Sequence, residues 1–267
     1  MENNPLVSIV LPIRNDSPEF IEECLSSIKN QTYNNIEVIL IDDSDNINTI
    51  NTIDRQKGLN FLIVREPNRK KGLPSALNRG IELSSGDFIA RADADDIQNE
   101  NRIEKQVKFL MENSDIDVVG CNNIIIDDSN NIIGKSVFKE ENASMMRSMS
   151  ISTPLSHPSV MVKRRFFEIV GKYNENLKRA EDYDLWLRAR KIKGIKFYNI
   201  QENLVYYRIS NIEKRDSLHW FTNLQLKLKY FIPKYFISSV SGIIIVSLFL
   251  ITPNFLKIKI YKKYKTW

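Results

Sequence analysis

Three apolar runs of strand length, each closed by a polar or acidic cluster, constrain this chain more than any other feature. Val7-Ser8-Ile9-Val10-Leu11 leads to Arg14-Asn15-Asp16, Ile36-Glu37-Val38-Ile39-Leu40-Ile41 leads to Asp42-Asp43-Ser44, and Asp87 to Arg91 leads to Asp93-Ala94-Asp95-Asp96. A further strand is expected at Phe61-Leu62-Ile63-Val64. Between these runs stand helical segments. One opens at Ser17-Pro18-Glu19 with a cap, a proline and an early acid and runs to about Asn30; another runs from about Pro74 to Leu83. Such alternation predicts an α/β fold, Rossmann-like and doubly wound, with a mainly parallel sheet. Ligands of such sheets bind beyond the carboxyl ends of the strands, so the three polar clusters are expected to meet in one crevice.

The cluster Asp93-Ala94-Asp95-Asp96 sets three carboxylates within four residues. Hard oxygen ligands on a strand-end loop suit Mg2+ or Mn2+, and a site of one or two carboxylates leaves positions open for phosphate oxygens. Neither Gly-x-Gly-x-x-Gly nor Gly-x-x-x-x-Gly-Lys-Ser/Thr occurs, so a dinucleotide fingerprint and a P-loop are both unsupported. Phosphates would need a metal and cations, and Arg69, Lys70 and Lys71 supply three consecutive cations before the second helix. A second acidic group, Glu181, Asp182 and Asp184, opens a later helix that continues through Leu185-Trp186-Leu187-Arg188. Acids in a first turn offset the helix dipole, and the same placement keeps a carboxylate exposed as a general base.

The net charge of +5 hides an asymmetry. Residues 214–267 carry ten Lys/Arg against the single acid Asp216, a net of +9, so residues 1–213 are net −4. Residues 1–213 are expected to form the globular domain and 214–267 a membrane-associated helical segment. Basic residues flanking apolar sequence, not a folded polar face, argue against nucleic acid as the main partner. Tyr235 to Ile251 is uncharged over seventeen residues. As a helix it reaches about 26 Å, near the lower limit for a hydrocarbon core of about 30 Å. Lysines flank it on both sides, so an in-plane helix competes with a span and with a buried core helix. Met1-Glu2-Asn3-Asn4-Pro5 lacks a basic start, so the globular part is expected at the cytoplasmic face of the membrane. Cys24 and Cys121 suggest neither a disulfide framework nor a metal site and are expected in the core.

After a helix from about Asn99 to Asn113, Val118-Val119-Gly120-Cys121 reads as a strand, and Ile124-Ile125-Ile126 with Ile132-Ile133 as a hairpin. Taken in order, Val7 to Pro12, Ile41-Asp42-Asp43-Ser44, Gly72-Leu73-Pro74-Ser75-Ala76-Leu77-Asn78-Arg79-Gly80, Asp93-Ala94-Asp95-Asp96 and Ala180 to Trp186 resemble the motifs of family 2 glycosyltransferases of the GT-A fold, over roughly residues 5–210. The resemblance implies a metal-assisted, inverting transferase that uses a UDP- or dTDP-linked sugar in bacterial surface polysaccharide assembly, such as O-antigen or capsule, on a glycan or lipid-linked acceptor. It further implies a nucleotide-sugar site of Pro12, Arg14, Asp42, Asp43, Lys71, Asn78 and Asp93, with Asp43 at the base and Asp93 near the ribose. Asp95, with Asp93, would hold the metal; Asp182 would be the base and Glu181 would position the acceptor. His157-Pro158-Ser159 matches a further segment, read either as structural or as acceptor contact. The chain departs from the family where many members carry a histidine after a Tyr-Arg pair, since it reads Tyr207-Arg208-Ile209-Ser210. The alternatives are a nucleotidyltransferase making sugar nucleotides, which should show a glycine-rich triphosphate loop after the first strand, and a non-catalytic nucleotide-sugar-binding membrane protein.

Overall fold

The computed structural model describes residues 4–56, 61–65, 72–209, 217–253 and 256–257. Lys71 and Ser210, both singled out in the sequence, lie outside them. The first strands form where expected: β1 (Val7–Ile13), β2 (Ile36–Asp42), β3 (Phe61–Arg65) and β4 (Phe88–Arg91). They pair in parallel in the order β3-β2-β1-β4. Helices α1 (Pro18–Lys29), α2 (Ile47–Asp54) and α3 (Leu73–Leu83) make the crossovers. Register aligns Ile13 with Asp42 and Val10 with Arg91, which brings the three polar strand ends side by side as predicted.

Beyond β4 the sheet turns mixed. The chain passes through β5 (Ile97–Gln98), α4 (Arg102–Glu112), β6 (Val118–Ile126), β7 (Ile132–Ser136), α5 (Asn142–Ser148), β8 (Met161–Lys163), α6 (Arg164–Val170), α7 (Glu181–Ala189) and β9 (Phe197–Arg208). β8 joins β4 and β6 in antiparallel fashion, and β6 runs parallel to β9 along its length. β8 and β7 take successive stretches of the other edge of β6, the second as the expected hairpin. Apart from that hairpin, the parallel half is extended by strand pairings that are long-range and unmarked in the local pattern.

Both faces of the sheet are covered. Val7, Ile9, Leu11 and Ile13 of β1 bury against Ile21, Leu25 and Ile28 of α1 and Ile103, Val107 and Leu110 of α4. Val10 points the other way, toward Leu77 and Ile81 of α3, as the two-residue strand period requires. On that face Trp186, fully buried, packs against Phe166, Phe197 and His157, anchoring α7 to the sheet. Each closed apolar side chain contributes about 1.5–3 kcal/mol relative to exposure. Cys24 and Cys121 are buried and free, as expected.

Two last helices, α8 (Ser217–Lys229) and α9 (Phe236–Ile251), pack on each other, and α8 packs on α7. Lys227 Nζ donates to Ser150 O, Ile151 O and Tyr183 Oη at 2.8, 3.0 and 2.9 Å, and Tyr230 Oη donates to Asp184 Oδ1 at 2.9 Å.

Candidate active site

The acid loop between β4 and β5 is held from behind by Arg208, the last residue of β9. Its N–H donates to Asp96 Oδ1 at 2.8 Å and its Nε to the Asp95 carbonyl at 2.9 Å. The same guanidinium reaches Asp127 O at 2.8 Å and Glu23 Oε2 at 2.6 Å, and lies over the Phe20 ring. A second arginine, Arg102, is fully buried and donates to the carbonyls of Arg91 and Val160 at 2.9 and 3.2 Å, to Gln106 Oε1 at 3.1 Å and to Gln98 Oε1. These contacts fix the base of the loop, and the side chains of Asp93 and Asp95 are left to the cavity side.

One carboxylate oxygen from each of Asp93, Asp95 and Asp96 lies within 4.8 Å of the others. Burial, then repulsion from Asp93 and Asp16, pushes the Asp95 carboxyl up to about 7. Burial and the charges of Asp93 and Asp95 raise Asp96 well above the usual carboxylate range, against the pull of the Arg208 N–H. Asp96 Oδ2 is buried and has no hydrogen-bond partner among the described residues. An all-oxygen donor set with a crowded, unsatisfied carboxylate fits Mg2+ or Mn2+, because a hard cation would supply the missing partner and relieve the repulsion.

Arg91 was not singled out in the sequence, where it reads as the end of a strand. Its Nη2 lies 2.5 Å from Asp93 Oδ1, and its buried Nε and Nη1 find no partner among the described residues. Arg91 and Asp93 border two adjoining cavities. The smaller, about 290 Å3, is lined by Pro12, Arg14, Asp43, Asp93 and Asp95. The larger, about 1440 Å3, is lined by Arg14, Asp93, His157, Glu181 and Asp182 among others. Seven residues expected at the site, Pro12, Arg14, Asp43, Asp93, Asp95, Glu181 and Asp182, therefore do surround one crevice.

Two expected nucleotide-binding residues stand apart from it. Asp42 is buried and pairs with Arg65 Nε at 3.0 Å while accepting from the Ser44 N–H at 3.0 Å. Its carboxylate joins β2 to β3, and it is the adjacent Asp43 that lines the cavity. Asn78 is buried and bonds Tyr173 N, Tyr173 O and Glu175 Oε1, each at 2.9 Å. Its amide ties α3 to the segment preceding α7 and lines neither cavity.

The tip of α7 divides its three acids by role. Asp184 is buried between Arg188 Nε at 2.8 Å and Tyr230 Oη at 2.9 Å. Glu181 and Asp182 face the larger cavity, behind Ala180, whose φ of 58° turns the chain into the helix. Burial first, and repulsion from Asp182 second, raise Glu181 to about 7. His157 Nε2 lies 2.8 Å from Tyr173 Oη, and burial drives the imidazole pKa well below its usual value, so it stays neutral. That bond gives His157 a structural tie while its ring remains on the cavity wall.

The family description "Glycosyl transferase family 2" matches residues 8–170. An uncharacterized glycosyltransferase of Methanocaldococcus jannaschii is 31% identical, over 95% of this chain and 92% of its own. The UDP-Gal:alpha-D-GlcNAc-diphosphoundecaprenol beta-1,3-galactosyltransferase of Escherichia coli is 32% identical, over 78% of this chain and 76% of its own. Among solved structures, the S. aureus protein TarS superposes with a TM-score of 0.65 at 18% identity, over 84% of this chain and 39% of TarS. The mannosyltransferase PcManGT of Pyrobaculum calidifontis, solved with GDP-Man and Mn2+, superposes with 0.64 at 19% identity, over 95% of this chain and 72% of its own. These likenesses give the GT-A fold, and with the sequence matches they show that the chain belongs to glycosyl transferase family 2.

Proposed function

We propose that this glycosyltransferase moves a sugar from a UDP- or dTDP-linked donor to a hydroxyl of a glycan or lipid-linked acceptor, with inversion, in cell-surface polysaccharide assembly at the cytoplasmic face of the membrane. The observation that carries the reading is the placement of two acidic groups on one crevice: the loop of Asp93 and Asp95, and the α7 tip of Glu181 and Asp182, with Arg91 between the two cavities. The activity for which the E. coli relative is named, transfer from a UDP-sugar to a diphosphoundecaprenol-linked sugar, supports the choice of substrates.

In this reading Asp43, at the end of β2, accepts the N3–H of the pyrimidine base. Asp93, oriented by Arg91, faces the ribose, and the two unpartnered Arg91 nitrogens offer donors to phosphate or sugar oxygens. Asp95 and Asp93 would hold Mg2+ or Mn2+, which supplies charge neutralisation to the departing diphosphate. The PcManGT complex with Mn2+ supports that assignment. Asp182 takes the proton of the acceptor hydroxyl as its oxygen bonds the anomeric carbon, and Glu181 positions the acceptor beside it. The carbon–oxygen bond to phosphate breaks on the opposite face and the diphosphate departs with the electron pair. One carboxylate base suffices, because the leaving group needs no protonation, whereas glycoside hydrolysis needs two.

A nucleotidyltransferase is disfavoured by the β1–α1 loop. It contains no glycine, and Asn15 Oδ1 there is occupied by the N–H groups of Asp45 and Asn46. The test is release of nucleoside diphosphate from a donor panel with Mg2+ or Mn2+ and membrane lipid extract. Release from one donor, abolished by Asp95→Ala and by Asp182→Asn with donor binding intact in the latter, is expected. Turnover indifferent to Asp182→Asn would remove Asp182 as the base.

A further inference from the structure

Pro233–Ile251, α9 with the short turn that precedes it, is long and apolar enough to be a membrane candidate, and the seat of α9 on the globular domain decides how it can meet a bilayer. Of its sixteen residues only Ser239, Gly242 and Val246 are buried, and their spacing of three and four puts them on one stripe. Phe236, Ile237, Ile244, Ile245, Leu248 and Ile251 are 41–82% exposed. The buried stripe rests on backbone. Ser239 Oγ lies 3.1 Å from Ser150 Oγ, and a Cβ at Gly242 would overlap the Ser150 carbonyl. Around the same point Lys227 Nζ donates to Ser150 O at 2.8 Å, and Arg190 Nη1 donates to Ser150 Oγ at 2.9 Å.

This contact falls at the middle of the helix. A sixteen-residue helix is about 24 Å long, so one crossing a bilayer would place Gly242 near the hydrocarbon centre. Ser150, Lys227 and Arg190 would be carried to the same depth, where irregular backbone and cations find no solvation. A helix lying flat meets no such conflict, since its seat stays on the water side.

We infer that α9 lies in the plane of an anionic lipid surface, its outer stripe sunk at the headgroup boundary and the globular domain above it. This rests on the membrane reading of the preceding section and fixes its geometry. Charge selects the partner. Lys229, at the end of α8, and Lys234, two residues before α9, are exposed, and the sequence holds no acid after Asp216. A second copy of the chain on this stripe would set Lys229 and Lys234 against their own kind, whereas anionic headgroups neutralise them. Helix α8 connects this surface to the crevice, because His219 lines the larger cavity and Lys227 holds the seat of α9.

The experiment uses the full chain with single cysteines at Ile237→Cys, Ile244→Cys or Ile251→Cys, labelled with an environment-sensitive dye. Cys24 and Cys121 are 0% exposed and stay unlabelled. Vesicles of phosphatidylcholine, with and without phosphatidylglycerol, carry depth-graded quenchers. Binding about tenfold tighter or more on the anionic vesicles, with all three labels at one shallow depth of about 5–10 Å, is expected. A label at 244 near the bilayer centre with 237 and 251 at opposite faces means a span and overturns the inference. Labels indifferent to vesicles but responsive to protein concentration mean a second copy, with the same consequence. The double variant Ile237→Asp/Ile251→Asp should bind anionic vesicles about a hundredfold more weakly. UDP binding in solution, measured on the same variant, should be unchanged, so the membrane geometry and the donor reading fail on separate signals.

Discussion

Replacing Asn78 by leucine separates two roles for a residue that the family resemblance assigns to nucleotide binding and the structure uses as a clamp. Its side chain satisfies both the N–H and the C=O of buried Tyr173, and also meets Glu175. In Asn78→Leu both main-chain groups of Tyr173 lose their partner, at about 1–3 kcal/mol each. Glu175 is exposed and rehydrates, and the apolar side chain returns about 1 kcal/mol. The net loss is about 1–5 kcal/mol, against the about 5–15 kcal/mol that holds a domain folded. For a domain of this size it lowers Tm by about 2–20 °C. Thermal and urea unfolding followed by circular dichroism measure the loss, and UDP titration below the transition reads the donor site. An unchanged Tm together with a tenfold or greater drop in UDP affinity would refute the clamp and restore the nucleotide contact.

Two further perturbations test neighbouring parts of the site. With Glu181 raised to about 7 beside Asp182, the last proton of this pair leaves near neutrality, so the acid limb of kcat/KM is expected near pH 7. In Glu181→Gln the limb should move down by about one pH unit or more, and an unmoved limb removes the pair as its origin. Stability carries the same sign. Below about pH 4.5 the carboxyl is protonated folded or unfolded; between 4.5 and about 7 only the unfolded chain has released the proton, so the folded state loses stability as pH rises, and Glu181→Gln should lack that part of the loss. Arg102→Met withdraws the donor from two carbonyls and two glutamines, and after relief of the buried charge should cost about 3 kcal/mol in urea unfolding. A neutral result would mean that the loop base is held elsewhere.

What the sequence showed of the fold is what local pattern can carry. The strands through Arg91 and helices α1, α3 and α7 announce themselves by apolar runs, early prolines and first-turn acids, and they fall within a few residues of expectation, although the Ser17 side chain bonds Glu19 and makes no cap to the main chain of α1. β9 does not, because Phe197 to Arg208 interleaves polar residues whose pairing is supplied by β6 across two irregularities in register. Helix α2 is likewise unmarked, its eight residues resting on the cap of Asn46 onto the Asn48 N–H. At the site, adjacent carboxylates look alike in sequence but face different neighbours. Asp42 meets Arg65 from the next strand, and Asp184 meets Tyr230 from a helix far along the chain, while Asp43 and Asp182 reach the crevice. Arg208, which holds the acid loop, could be found only from long-range geometry. Arg91, which pairs with Asp93, left one signal in the sequence, a cation inside an otherwise apolar strand.

The bond from Tyr230 to Asp184, with Lys227 closing on Ser150 and Tyr183, bears on how a water-soluble version of this enzyme should be made. Shortening the chain before α8 would leave Asp184 with one partner instead of two inside the first turn of the helix that carries Glu181 and Asp182. It would also bare the main chain at Ser150. Polar substitutions confined to the outward residues of α9 would remove its exposed apolar surface and keep every bond behind α7, which makes redecoration, not truncation, the safer route to a more soluble chain.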